Sequence, residues 1–180
     1  FSKHDPARPL YTKRDAERTL EYLEPVPFGP VDAPASEWID LGDVVGRFAP
    51  AGHILGASWV TLDIGGRRLV FSGDVGRPNA PLMRPPEPIG RADELVLEST
   101  YGDRRHPEAD VADELASVVQ RTADRGGVVL IPAFAVGRSQ ELIHVLTRLE
   151  EERRIPDLPV FLNSPMAIDV TSLYEKHSDL

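Results

Sequence analysis

The stretch "WVTLDIGGRRLVFSGD", Trp59 to Asp74, constrains the fold more tightly than any other part of the chain. Apolar and polar residues alternate from Val60 to Ile64, the period of a half-buried strand. Gly65-Gly66 then offers the pair of residues that a tight two-residue turn with positive φ demands. Arg67–Phe71 runs back with strand-forming residues. An antiparallel hairpin of Trp59–Ile64 and Arg67–Phe71 is therefore predicted. Two earlier strand candidates, Trp38–Leu41 and Val44–Ala49, extend it into a β-meander.

A hairpin also brings together the segment that precedes its first strand and the one that follows its second. Here these are "PAGHILGA" with His53 and "SGDVGR" with Asp74. For His53, small neighbours allow close approach of a ligand, and an imidazole on a short loop beside a strand is a standard zinc donor. A turn histidine in a Gly-rich loop is the competing reading. For Asp74 the choice lies between an Asx-type turn and a metal ligand. Glu98, in "LVLESTYGDR", leaves a further apolar strand and is either a turn former or a site residue. Sites gather on loops at strand ends, so the three together say more than each alone.

After Tyr101–Pro107 the period changes. Ala109–Arg125 is predicted helical, with Val111, Leu115, Val118 and Val119 as its apolar face. "GGVVLIPAFAVG" and "PVFLNSP" read as apolar strands, and Arg138–Arg154 and Met166–Lys176 as helices. Such alternation is the pattern of a parallel sheet covered on both faces. Near the start, Thr12 is a predicted N-cap with Asp15 at the third helical position; Ala16, Leu20 and Leu23 share a face, and Pro25 ends the helix. His4, His106, His144 and His177 carry no motif and are expected to be bland.

Charge and composition close off several function classes. A formal net charge of −9 disfavours binding of nucleic acid or membranes through overall charge, although 20 Lys and Arg remain for a local basic groove. The absence of cysteine excludes disulfides, thiolate zinc sites and thiol catalysis. No apolar run is long enough to span a membrane, no signal peptide is expected at Phe1, and a cytoplasmic setting is the expectation. The chain starts without Met and ends inside a helical stretch, so it is expected to be a piece of a longer protein.

Five strings, "PAGHILGA", "FSGDVGR", "LESTYGDR", "IPAFAVGRSQEL" and "NSPMA", stand in one order along the chain. Together they resemble the metallo-β-lactamase-fold nucleases that carry a β-CASP insert, RNA-processing enzymes among them. The resemblance implies an α/β fold, part of an αββα sandwich over residues 1–104 followed by the N-terminal part of a β-CASP domain over 105–180. It implies that His53 binds one zinc, that Asp74 bridges two, and that Glu98 orients a distal histidine. Arg138, Glu141 and the Ser164-Pro165 turn match signatures of the insert; Arg138 and Ser164 are candidates to touch substrate, though pairing of Arg138 with Glu141 is favoured.

The family's His-x-His-x-Asp-His motif is missing, as are its late histidines, and these are expected to lie before Phe1 and after Leu180. The piece alone should then be metal-poor and inactive. What the resemblance implies for the full-length protein is a two-zinc ribonuclease acting on single-stranded RNA, with no membrane partner and a homodimer as a candidate assembly. The rivals are a DNA-processing nuclease of the same fold, a non-catalytic scaffold homologue, and a small-molecule hydrolase such as a thioesterase.

Overall fold

The computed structural model describes residues 9–30, 32–105 and 110–177. His4, His106 and the predicted start of a helix at Ala109 lie outside the described residues. The elements run α1 (Lys13–Leu20), β1 (Ile39–Asp40), β2 (Val44–Pro50), β3 (Ser58–Ile64), β4 (Arg67–Phe71), β5 (Glu94–Val96), α2 (Val111–Ala123), α3 (Arg138–Glu151) and α4 (Pro165–Lys176). The fold is mixed α/β, as expected. One five-stranded sheet has the order β1-β2-β3-β4-β5, antiparallel except for the parallel β4–β5 pair.

The predicted hairpin forms. Gly65 and Gly66 take φ of 55° and 79°, the signs that a type I′ turn requires, and Ile64 pairs with Arg67 across it. That register puts Ala49, Trp59 and Val70 on one face, where they bury with Ala51 and pack against Ala35, Ile89 and Ala92. The loop crossing this face is tied down by Trp59, whose indole N–H donates to the Glu87 carbonyl at 3.0 Å. At the far end of the same face, Arg47 and Arg68 lie over the Trp38 ring, and Arg68 makes a two-pronged bond to Asp63. The opposite face, with Phe48, Val60, Leu62 and Leu69, is only partly buried.

Three local expectations differ from what forms. β5 is short and exposed, not buried, because only β4 covers it among the described residues. "GGVVLIPAFAVG" and "PVFLNSP" contain no paired strand: Val128, Leu130 and Phe161 are exposed, with no neighbouring strand among the described residues to supply hydrogen bonds. The buried face of α2 is turned by about one residue, to Ala112, Ala116 and Val119 with Leu115 at its edge, while Val111 and Val118 face outward. Two alanines let α3 approach closely, and Leu149 of α3 and Ile155 complete this second core.

The remaining helices follow their caps. Thr12 and Asp15 form a reciprocal capping box at α1, yet no residue of that helix is buried. Asp110 caps α2 and Ser164 caps α4. α3 starts at Gly137 with no side-chain cap.

Candidate metal-site edge

The segments carrying His53, Asp74 and Glu98 meet at one end of the sheet. His53 stands on the turn between β2 and β3, Asp74 on the exit from β4, and Glu98 just past β5. Since β3 and β4 are hairpin partners, entry to one and exit from the other fall at the same edge.

Backbone contacts fix this convergence. The Gly76 N–H donates to the Ala51 carbonyl at 2.7 Å, and the Ala51 N–H donates to the Ala57 carbonyl at 2.8 Å. The first bond joins the Asp74 loop to the His53 turn; the second closes the turn itself. The two glycines flanking Asp74 serve this packing instead of opening space for substrate. A Cβ on Gly76 would stand 1.8 Å from the Gly52 carbonyl oxygen and 2.6 Å from the His53 nitrogen, and one on Gly73 would stand 2.8 Å from the Ser58 oxygen.

Ser72 joins the third segment. It is buried, its N–H donates to the Val96 carbonyl at 2.9 Å, and its hydroxyl accepts from the Glu98 N–H at 3.0 Å. The Glu98 carboxylate accepts from the Thr100 N–H at 2.9 Å. These Thr100 contacts, from its N–H and its hydroxyl, hold the carboxyl below the usual glutamate range; slight burial opposes them, and the Val75 N–H and the His53 charge add to them. Glu98 is therefore an ionised group engaged with the Asp74 loop on one side and its own turn on the other. Neither Ser72 nor the Gly76 contact was singled out from sequence, since a serine in "FSGD" carries no signal of its long-range partner.

His53 and Asp74 have the chemistry of metal donors, an imidazole nitrogen and a carboxylate, both exposed and brought to the same edge. They are two donors, whereas zinc usually takes roughly four. Among the described residues no group of three or more His, Asp, Glu or Cys gathers as a metal cage. The residues thus fit part of a metal site and do not complete one. Arg138 pairs with Glu141 at 2.8 Å, and Ser164 accepts from the Ala167 N–H at 3.3 Å. Both candidate substrate contacts have structural partners here.

Known proteins resemble this chain along most of its length. Residues 139–180 match the Beta-Casp domain. The chain is 38% identical over 169 residues to ribonuclease TTHA0252 of Thermus thermophilus, a match over 93% of this chain and 37% of that protein. It is 32% identical to cleavage and polyadenylation specificity factor 73 of Drosophila melanogaster over 93% of this chain and 24% of the relative. An RNase J-like protein of Methanocaldococcus jannaschii is 30% identical over 71% of this chain and 31% of its own length. The chain is similar to the nucleases of the metallo-β-lactamase/β-CASP family, which are metal-dependent. It spans little more than a third of the length of the first of these relatives and less of the others.

Proposed function

We propose that this chain is part of a zinc-dependent ribonuclease that hydrolyses phosphodiester bonds of single-stranded RNA. The observation that carries the reading is the stitching of the His53, Asp74 and Glu98 segments at one sheet edge by the Gly76–Ala51 and Ser72–Glu98 hydrogen bonds. The names of its relatives, a ribonuclease and a cleavage and polyadenylation specificity factor among them, support RNA as substrate. We read residues 1–104 as metallo-β-lactamase domain and 105–180 as β-CASP; the two separate apolar cores support a division of this kind.

Each residue has a distinct task in this reading. His53 supplies one nitrogen donor without adding charge, and Asp74 supplies a carboxylate able to bridge two cations. A bound zinc pair would polarise the phosphoryl group and lower the pKa of a coordinated water. Glu98 stays ionised, its carboxylate accepting from the Thr100 N–H, while its own N–H ties its segment to Ser72 just before the Asp74 loop, so Asp74 would keep its place when charge builds nearby. The remaining donors would come from outside the described residues.

The test is zinc content and cleavage of labelled single-stranded RNA by the full-length protein and its Asp74→Ala variant. The variant is expected to lose bound zinc and to fall on the order of 100-fold or more in turnover. Wild-type zinc and turnover in that variant would remove Asp74 from the site. Cleavage of DNA but not RNA by the parent would favour the DNA-processing relative, and no cleavage of either would favour the scaffold.

A further inference from the structure

Ser72 stands two residues before Asp74 and is only 1% exposed. Its backbone N–H donates to the Val96 carbonyl at 2.9 Å, which carries the β4–β5 pairing one residue past the end of β4. Its hydroxyl makes two further bonds. It accepts from the Glu98 N–H at 3.0 Å and donates to the Gly73 carbonyl at 2.7 Å. One buried oxygen thus spends a lone pair on the Glu98 segment and its proton on the Asp74 segment.

The bond to Gly73 bears directly on Asp74. The Gly73 carbonyl belongs to the planar peptide that leads into Asp74, so its direction sets that of the Asp74 N–Cα bond. Gly73 has φ of 55° and no side chain, and its own preferences therefore leave this peptide free to rotate. Among the described residues no backbone N–H donates to the Gly73 carbonyl. The Ser72 hydroxyl supplies the missing restraint. The Glu98 N–H keeps the hydroxyl oxygen in place, and the proton then has the Gly73 carbonyl in hydrogen-bond reach.

We propose that Ser72 is a positioning residue for the metal edge: its hydroxyl fixes the Gly73–Asp74 peptide against the Glu98 segment, so that the Asp74 carboxylate is presented at one angle before a cation arrives. This rests on the reading of Asp74 as a zinc ligand. A donor ordered in advance does not have to be ordered at the moment of binding, and affinity rises by the cost avoided. Ser72 touches neither metal nor substrate in this role and acts only through Asp74 and Glu98.

The test uses the full-length protein with Ser72→Ala, Ser72→Thr, Asp74→Ala and, as a destabilised control in the other core, Leu149→Ala. Zinc affinity is measured by chelator competition, and amide hydrogen exchange at Glu98 is followed in the zinc-free protein. Ser72→Ala is expected to speed exchange at Glu98 about 2–10-fold, the range of one lost hydrogen bond. Its zinc affinity is expected to fall about 10–100-fold, as for loss of a group that orients a ligand. Ser72→Thr keeps the hydroxyl and should return both readouts to near the parent values. Leu149→Ala should keep the parent zinc affinity, which separates positioning from a general loss of stability. Parent zinc affinity in Ser72→Ala, or equal weakening in Ser72→Thr or Leu149→Ala, overturns the positioning role while Asp74→Ala still loses zinc. Full zinc retention by Asp74→Ala is a different failure: it overturns the ligand reading and leaves Ser72 nothing to position.

Discussion

Gly76→Ala offers the most direct test of how the loop edge is held. The new Cβ would start 1.8 Å from the Gly52 oxygen, 2.1 Å from the Gly52 carbonyl carbon and 2.6 Å from the His53 nitrogen, all backbone atoms that cannot rotate aside. Real Cβ contacts do not fall below 3.0 Å, so the Asp74 loop and the His53 turn must part by at least 3.0 − 1.8 = 1.2 Å. The 2.7 Å bond from the Gly76 N–H to the Ala51 carbonyl cannot survive a separation of that size unchanged. Overpacking of this kind costs about 1–3 kcal/mol, and the lost hydrogen bond about 1 kcal/mol more. A displacement of about 1 Å between catalytic groups can cost on the order of 100-fold in rate. The full-length Gly76→Ala protein should therefore bind less zinc, cleave RNA on the order of 100-fold more slowly, and unfold at lower denaturant. Gly90→Ala is the control, since nothing lies within 4 Å of its Cβ position. If Gly76→Ala matched Gly90→Ala in zinc content and cleavage, the contact between the two loops would not be what brings His53 and Asp74 together.

Two further outcomes concern stability. Leu149 is fully buried between α2 and α3, so Leu149→Ala should cost about 2–5 kcal/mol in denaturant unfolding while leaving zinc content per folded molecule intact. Acid should weaken both ends of the sheet: Asp63 and Asp93 beside Arg68, and Glu98 at the loop edge, are held below their ordinary values of 3.8, 3.8 and 4.5, chiefly by the Arg68 side chain, the Arg68 N–H and Thr100 respectively. Depressed folded-state values mean a contribution present above those ordinary values and lost as pH falls through the lower folded ones. Denaturant midpoints of wild type and Asp63→Asn, followed from pH 6 to pH 3, should thus converge at the acid end; a constant gap would refute the assignment.

What could be read from sequence was what short-range chemistry decides. The Gly65-Gly66 turn needs only its own two residues, and once its register is set, Ala49, Trp59 and Val70 must share a face. The Thr12–Asp15 capping box spans a single turn of helix. His53 and Asp74 were legible as a pair for the same reason, because a hairpin fixes which of its ends meet. Ser72 and Gly76 escaped because their partners, Glu98 and the Gly52–His53 backbone, lie more than 20 residues away and no local pattern names them. The face of α2 was misjudged by one residue, since periodicity favours large apolar side chains, while close helix packing buried Ala112 and Ala116 instead.

The same distinction explains why two strong strand signals, "GGVVLIPAF" and "PVFLN", form no sheet here. Apolar, β-branched runs report that a segment is fit for burial on both faces; they do not supply the neighbour that satisfies its N–H and C=O groups. An antiparallel hairpin carries its neighbour next to it in the chain, whereas a parallel strand depends on a partner beyond a helix or further. β5 shows the intermediate case: it pairs in parallel with β4 over three residues, across a loop of more than 20, and remains exposed on its outer side. Local pairing is what brings His53 and Asp74, the two donors of the proposed site, to one edge. In the proposed ribonuclease, the other metal donors and the cover for Val128, Leu130 and Phe161 would both be supplied from outside the described residues. Metal binding and completion of the sheets are then expected to be coupled, because one set of added segments would serve both.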